Sequence, residues 1–518
     1  MTIHPAPKEW IVQKYGGTSL GKLLDKVCGA IIPAYLENYN VAVICSALSG
    51  TTKANGTTSL LLECLRYAEV VGVESISHIN AMIDKVRDTH LDKLQALRAY
   101  SSDTNDLLLS ESIVNMVSDC EEVRKFLLAA QEWSSHYSLY FVLIVSCALQ
   151  IVGDLSPRSK DKVLALGEKL ACRTVAATLS IKGGIPARVI NLDNIVAEEF
   201  GGSLPNQTAE FERLGVRFYH RLGQRIASMV SRSTDAVPII TGFFGVMPNS
   251  LLQCVGRGYS DLCGAMCAAG LAAAEYQIWK EVDGIFTADP SKVPSARVLT
   301  TVTAEEVSEL TFFGTIRVGD CLTIKKRTES LRVGTVIYPS GPEADHQPTK
   351  TVQGKSTDVG FMLSNGYHGQ SRSRRRPTAI TSKEGLILVN VTGSRATKTQ
   401  GFLASVFLEL ERTGLLPDLV TTSERNVSLA IQASNGIFNR NRLVLNLQKF
   451  GCVSILENMN IVSVIGQQMR NMVGTAIVKA DDAIQAMNVI HARALQVPTH
   501  LEQENTFIKG ETLFSTSY

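Results

Sequence analysis

The sequence predicts an α/β protein, a mostly parallel sheet flanked by helices, followed by a smaller α+β region of βαββαβ type and a truncated second copy of it. Three observations carry this. From residue 8 to about 340, β-prone apolar runs alternate with stretches whose apolar residues recur at helical spacing. Residues 341–377 are polar and rich in Pro, Gly and Ser, as linkers are. Beyond them, strand, helix, strand pair, helix and strand follow in turn, then the pattern restarts and stops short.

Each element has a local signal. "WIVQKY" reads as a strand that ends on the pair Gly16-Gly17, and "LGKLLDKVCGAIIPAYL" reads as the helix after the turn. "NVAVICSAL" is a second strand, and "TTKANG" a loop. Residues 57–131 are helical and polar. The run from Ser156 to Gly183 is a long amphipathic helix with a Ser156-Pro157 start signal. "PARVINL" is a strand, "FERLGVRFYHRLGQRIASMV" one helix and "AVPIITGFFG" a strand. "GRGYSDLCGAMCAAGLAAAEY" is a glycine turn entering a small-residue helix, and "EYQIWKEVDGIF" holds the next strand. After the linker, "TAITSKEGLILVNVTG", "GFLASVFLELERTG", "PDLVTTSERNVSLAIQ" and "NRLVLNLQKFG" give strand, helix, strand pair and helix. "CVSIL" and "NIVSVIG" follow as two strands.

Composition excludes several functions. A net charge of +2 argues against nucleic acid as a partner. The basic knot Arg372, Arg374–Arg376 lies in the polar linker and reads as a solvated charge run. Eleven scattered cysteines with no C-x-x-C pair read as reduced thiols of a cytoplasmic protein, not as a disulfide frame or zinc site. No apolar signal segment opens the chain. The most apolar run, Phe141–Val152, has 12 residues, short of the ~20 that a membrane helix needs.

The chemistry gathers in four glycine-marked elements. "KYGGTSLGKL" almost fits a Walker loop, but Leu23 stands where a hydroxyl should hold Mg²⁺. Its glycines still feed a helix N-terminus, an anion site whose amides point at the ligand, with Lys14 beside it. The lysine is expected to face ligand anions rather than the core. In "GRGYSDLCGA", Arg257 sits between glycines and Ser260 and Asp261 open a helix, which suits an anionic substrate with a cation beside Asp261. In "LALGEKLA", Glu168 follows Gly167, where backbone can approach closely, and could clamp an amine. "WKEVDGIFTADP" runs from strand into turns and is a plausible nucleotide shelf. No histidine falls in these elements, which leaves hydrolysis by a Ser-His pair or zinc without support. Phosphoryl transfer to a carboxylate needs no base, because an acid of pKa about 4 is already ionised at pH 7. It needs charge neutralisation and alignment, by lysine, helix amides and Mg²⁺.

In this order, "KYGGTS", "LGEKL", "GFFG", "GRGYSDLCGA" and "WKEVDGIFTADP" resemble the aspartate kinases, fungal ones in particular, of the amino acid kinase fold with C-terminal ACT domains. The resemblance covers most of residues 8–490 and also takes in "GFLASVF" and "DLVTTSE". It implies an ATP-dependent kinase that makes 4-phospho-L-aspartate, with Mg²⁺ accompanying ATP. Lys14 and Asp261 would be catalytic; Lys14 would bridge the transferred phosphoryl group while Gly16, Gly17 and Thr18 line the phosphates. Ser46, Thr58, Glu168, Arg257 and Ser260 would hold aspartate. Glu168 would take its α-amino group and Arg257 its α-carboxylate. Lys280, Glu281, Phe286 and Asp289 would border the nucleotide. No protein residue set for a metal is implied. Threonine is the implied feedback inhibitor, at Gly401, Phe402, Leu403, Ala404, Asp418 and Ser423, and pairing of ACT units implies a homo-oligomer. Glutamate 5-kinase and a catalytically impaired effector-binding homologue are the alternatives.

The catalytic domain is expected over 8–340 and the ACT region over 378–518, its first unit at about 385–455 and its incomplete second at about 456–498. Three stretches depart from the family pattern. Residues 132–149 read as an insert that interrupts a helical region. Residues 315–333 are shorter than the pattern and lack its His-Pro pair. Between "NIVSVIGQQM" and "DDAIQAMNVIHARAL" only Arg470–Ala480 remains, at most ~40 Å of extended chain, too little for the helix and two strands expected there.

Overall fold

In a computed structural model, the described residues are 8–50, 55–70, 72–100, 103–140, 156–232, 235–248, 250–255, 258–280, 282–313, 324–325, 334–338, 376–393, 401–413, 415–423, 425–432, 440–467, 474–495. They fall into two compact units, Met1–Gly284 with Val318–Gly334, and Ile285–Arg317 with Thr335–Tyr518.

The first unit is built on β1 (Trp10–Tyr15), β2 (Asn40–Cys45), β3 (Ala187–Ile190), β4 (Val237–Thr241) and β5 (Glu275–Trp279), in spatial order β3-β4-β2-β1-β5. All these pairings are parallel. β1, β2 and β4 are buried almost throughout, as strands covered on both faces must be. The helices are α1 (Gly17–Lys26), α2 (Ile32–Leu36), α3 (Thr57–Ala68), α4 (Val73–Ala96), α5 (Asp103–Tyr140), α6 (Pro157–Ile181), α7 (Ile195–Phe200), α8 (Leu204–Leu214), α9 (Val216–Ser231), α10 (Leu251–Cys254) and α11 (Tyr259–Gly270). The Ser156 hydroxyl caps α6 by accepting from the Ser159 amide at 3.1 Å, as its Ser-Pro signal predicts. The single helix expected across 211–230 is two helices, because Gly215 takes φ +53° and breaks the run between α8 and α9. α5 continues to Tyr140, so helix extends into the residues expected as an interrupting insert; 141–155 lie outside the described residues. No described helix is long and apolar enough to cross a membrane.

The second unit contains β6 (Thr301–Thr303), α12 (Ala304–Phe313) and β8 (Gly334–Tyr338), with β6 parallel to β8; β7 (Ile324–Lys325) belongs to the first unit, beside β5. Its main sheet has five antiparallel strands in the order β10-β11-β9-β12-β13: β9 (Arg376–Gly393), β10 (Leu419–Thr422), β11 (Asn426–Gln432), β12 (Gly451–Gln467) and β13 (Gly474–Lys479). α13 (Phe402–Thr413), α14 (Arg440–Leu447) and α15 (Ala480–Ala494) complete it. The expected strands 452–456 and 460–466 are one strand, β12, with a register slip between Leu456 and Met459. The C-terminal half of β9 pairs with β11 and the start of β12, whereas its N-terminal half pairs with the end of β12. The second ACT half therefore takes one strand from residues that precede the first. Among the described residues it lacks one strand and one helix of the βαββαβ pattern, where the sequence count expects two strands and a helix to be missing.

Residues 285–299 pack with this second unit. Thr287 receives an amide hydrogen bond from Ile380 at 2.7 Å, and its hydroxyl lies 2.9 Å from His491 Nε2 on α15. Arg297 donates to the Leu495 carbonyl at 2.8 Å, and Asn488 to the Lys292 carbonyl at 3.0 Å.

Candidate active site

The site lies at the C-terminal ends of β1, β2 and β4, where a parallel sheet presents its ligands. Gly16 and Gly56 are the N-caps of α1 and α3, and neither helix start has a side-chain cap. Both starts pack on the loop after β2. A Cβ on Gly17 would stand 2.1 Å from the Ala47 carbonyl, and one on Gly21 2.5 Å from that of Ser49. The Thr57 amide donates to the Leu48 carbonyl at 3.0 Å. Gly167 lets α6 approach the same loop, since a Cβ there would meet Ala47 at 2.8 Å and the Thr57 methyl at 2.9 Å. Glycine identity is thus a packing demand at Gly17, Gly21 and Gly167.

Lys14, the fifth residue of β1, is buried to 4% exposure and ion-paired with Asp261, also 4% exposed, in the first turn of α11. α11 enters through Gly258 in the left-handed region at φ +110°, again without a side-chain cap. That turn sets Ser260 against Ser46, hydroxyl to hydroxyl at 2.8 Å. The Tyr276 hydroxyl, on β5, donates to the Asp261 carbonyl at 2.8 Å and fixes the turn from the other side.

Glu168 is buried on α6. Burial pushes its carboxyl up to about 8 from the ordinary 4.5, against the pull of hydrogen bonds from the Tyr259 hydroxyl and the Phe243 amide and of the Lys14 charge. Its Oε2 has no hydrogen-bond partner among the described residues. Gly242 makes room for it, since a Cβ there would lie 2.4 Å from that of Ser260 and 3.2 Å from Oε2. A buried, unpaired carboxylate oxygen is costly unless a cation meets it.

The structure thus brings together Lys14, Ser46, Glu168, Ser260 and Asp261, with Gly16, Gly17 and Thr18 at the adjoining helix start. Lys14 does not simply face ligand: it is buried with a carboxylate. Thr58 is exposed, and its neighbour Thr57 is the hydroxyl residue that faces Gly167. Helix phase decides between adjacent residues, and the first helical residue, not the second, faces inward here. Arg257 and Glu281 lie outside the described residues. Lys280 follows β5, half-buried. Phe286 and Asp289 belong to the second unit. The Asp289 carboxylate accepts from the Ser291 amide at 2.9 Å and hydroxyl at 2.6 Å, so it serves its own turn. Tyr259, Gly242, Thr57 and Tyr276 were not singled out from sequence. Tyr259 had a signal, as the first residue of the helix after a glycine, but its partner lies 91 positions away.

In the second unit, Gly401 is left-handed at φ +91° before α13. Phe402 is core, whereas Leu403 and Ala404 are exposed. Asp418 pairs with Lys383 at 2.5 Å, and its Oδ2 is buried without a partner among the described residues. The Ser423 hydroxyl accepts from the Asn426 amide at 3.2 Å within the β10–β11 turn.

Residues 9–333 match the amino acid kinase family, and the chain belongs to it. Within that family its relatives include aspartokinases. It is 35% identical to the aspartokinase of Schizosaccharomyces pombe, over 90% of this chain and 84% of that one. It is 32% identical to the aspartokinase of Saccharomyces cerevisiae, over 96% and 94%. The fold is similar to that of E. coli aspartokinase III, solved with lysine and aspartate, at a TM-score of 0.61 and 18% identity, over 94% of this chain and all of that one.

Proposed function

We infer that this chain is an aspartate kinase, moving the γ-phosphoryl group of ATP to the β-carboxylate of L-aspartate and giving 4-phospho-L-aspartate, the first intermediate toward threonine, methionine and isoleucine. The observation that carries the reading is the buried Glu168 carboxylate with a free oxygen, set among glycine-capped helix starts and the Lys14–Asp261 pair. A ligand ammonium supplies the missing partner of Oε2. Ser46 and Ser260 offer hydroxyls to the same ligand, and Arg257 takes its α-carboxylate. The acceptor carboxylate is already ionised, so the site needs no base. Its work is to align two anions and spread the charge of the transferred group, through Lys14 and the amides of α1. Asp261 positions the Lys14 ammonium. Lys280, Glu281, Phe286 and Asp289 border the nucleotide in this reading.

Mg²⁺ fits as a companion of the nucleotide. No three acidic, His or Cys side chains cluster among the described residues. Mg²⁺ keeps its waters and binds through substrate phosphates with one or two carboxylates, a role Asp261 suits. Hydroxylamine trapping of the acyl phosphate tests the activity. Hydroxamate from ATP and aspartate, and none from glutamate, is expected. The reverse selectivity would point to a glutamate kinase, and no product with either to the impaired homologue.

Threonine is the inhibitor this reading assigns, at the α13 start with Asp418, whose unpaired Oδ2 suits an ammonium. Edge-to-edge pairing of the regulatory sheets would make the homo-oligomer. A cytoplasmic setting agrees with the free state of all nine described cysteines. Because the described residues of the second ACT half lack a strand and a helix, threonine should inhibit this chain weakly. Inserting a helix and a strand, roughly 20 residues, after Met472 should strengthen inhibition. Strong inhibition of the unaltered chain would refute this account of the truncation.

A further inference from the structure

Helix α6 carries two buried carboxylates, Asp161 and Glu168, about two turns apart and therefore on one side of the helix. Asp161 is 1% exposed. It accepts from the Ser250 hydroxyl at 3.0 Å, from the Leu251 amide, and from the Leu252 amide at 3.5 Å. These residues form the entry to α10, on the chain between β4 and α11. Burial pushes the Asp161 carboxyl up, and the three hydrogen bonds and Arg158 pull it back. All three bonded partners are donors, which suits an ionised, accepting carboxylate.

The same stretch of chain meets Glu168 at both of its ends. The Phe243 amide, just after β4, and the Tyr259 hydroxyl, at the start of α11, donate to that carboxylate, while Oε2 stays open. Burial, then the charges of Glu168 and Asp161, push the Tyr259 hydroxyl well above its ordinary range, so it remains a donor. Between the two ends, Leu251 belongs to one core cluster and Leu252 packs against another. Hydrophobic attraction has no direction, so this packing alone leaves the height and rotation of α10 loosely set. The Asp161 hydrogen bonds supply the direction. Ser250 also stands at φ +75°, a conformation that a residue with a side chain keeps only where its surroundings dictate it. A buried carboxylate is a costly filler, and its presence here points to a demand for position.

We propose that Asp161 is a positioning residue: by fixing the entry to α10 it holds Phe243 and Tyr259 against Glu168, and so sets the affinity of the site for its amino-acid substrate. It acts through Glu168 and not by touching the ligand. The effect on affinity rests on Glu168 meeting the aspartate ammonium; the positioning itself does not.

Asp161→Asn in the full chain tests it, because the variant keeps the size of the side chain and sets a neutral amide against three donors. Hydrogen exchange of the ligand-free chain reads the positioning. Amides of 242–248 and 258–262 should exchange about tenfold faster, together with those of 250–255, while β1 and β2 keep their protection. Faster exchange confined to 250–255 would overturn the proposal. Hydroxamate kinetics read the consequence. KM for aspartate should rise about tenfold, with kcat and KM for ATP changed about twofold or less. Tyr259→Phe should raise KM for aspartate by a similar factor. The double variant should be at most about twice as impaired as the worse single one, since both act through Glu168. A multiplied effect of about a hundredfold would overturn the proposal, as would an unchanged KM for aspartate in Asp161→Asn. Ser250→Gly keeps the left-handed turn and both amide donors, so it should show the same pattern at about threefold. It serves if Asp161→Asn fails to fold, and unchanged exchange and KM in it would then count against the proposal. An unaltered chain that yields no hydroxamate would refute the aspartate kinase reading, and the exchange result would decide on Asp161 by itself.

Discussion

Each unit of the molecule carries a lysine–aspartate pair, and the two are unlike. Lys14 and Asp261 have side chains 5% and 6% exposed. Lys383 and Asp418 are 23% and 17% exposed. Taking two charges fully out of water costs several kcal/mol per ion, and mutual attraction often fails to return it. The deeper pair is therefore a weak device for stability, and its survival at the end of β1 points to use. In the proposed reaction it would hold a cation ready where two anions must meet. The shallower pair keeps more of its hydration than the deeper one and can act as an ordinary strut between β9 and the β10 entrance. Burial, rather than residue type, distinguishes the two roles.

The sharpest way to break this contrast is Lys14→Ala. Loss of the cation at the transferred group should lower kcat by about 10²-fold or more, read by hydroxamate formation. It also strands the buried Asp261 carboxylate, at a cost of roughly 3–5 kcal/mol, so the thermal midpoint should fall by several degrees. The double variant Lys14→Met with Asp261→Asn removes both charges. It should recover the midpoint and remain inactive. A double variant as unstable as Lys14→Ala would show that the pair stabilises the fold after all. Near-normal kcat in either would remove Lys14 from the mechanism.

Glu168 gives the next effect and sets the pH dependence of the site. Its folded carboxyl titrates near 8, above the ordinary 4.5. Between those values the folded chain holds a proton that the unfolded chain has released. Stability from this group is therefore full below pH 4.5, declines as pH rises, and levels off above 8. A ligand ammonium needs the ionised form, so aspartate binding should tighten with pH up to about 8 and release a proton. Calorimetry in buffers of different ionisation heat measures that release. Glu168→Gln should abolish it, raise KM for aspartate at least tenfold, and leave KM for ATP nearly unchanged. Aspartate affinity flat across pH 5–8 in the unaltered chain would contradict the assignment.

The outcomes for Lys14 and Glu168 show what the sequence could and could not reveal. Glycine turns, strand ends and helix starts are local events, and "KYGGTS", "LGEKL" and "GRGYSD" mark them within a few residues of where they fall. Partnerships are not local. Nothing near Lys14 announces that Asp261 buries it, or that Tyr259 reaches Glu168. The choice between Thr57 and Thr58 depends on helix phase, which a loop of uncertain length leaves open. The C-terminal sheet shows the same limit on a larger scale. β9 reads as one strand from periodicity, but only pairing shows that its halves serve different parts of the sheet. A linear count of elements after Met469 then overestimates what is missing. Likewise "TADP" reads as turn chemistry, and the Asx turn at Asp289 is real, but the hydrogen bonds of Thr287 to Ile380 and His491 span 93 and 204 positions.

The smallest effect is expected at the shallower pair. Asp418→Asn leaves Lys383 with access to water, so the cost should be about 1 kcal/mol or less and the midpoint should shift by only a few degrees. Catalysis in the absence of effector should be unchanged, because neither residue belongs to the unit that holds Lys14, Glu168 and Asp261. What should change is the response to threonine. The buried Asp418 Oδ2 has no partner among the described residues, and an asparagine there offers an ammonium only a neutral acceptor. Residual threonine inhibition should weaken several-fold while kcat and both KM values hold. Lys383→Met is the companion measurement. It frees Asp418 entirely for a ligand cation, so threonine should inhibit the variant at least as well as the unaltered chain. If both variants lose inhibition equally, the pair acts as a unit and the strut reading holds without a ligand role. If Asp418→Asn instead unfolds the chain as severely as Lys14→Ala, burial has not separated the two pairs and the contrast fails.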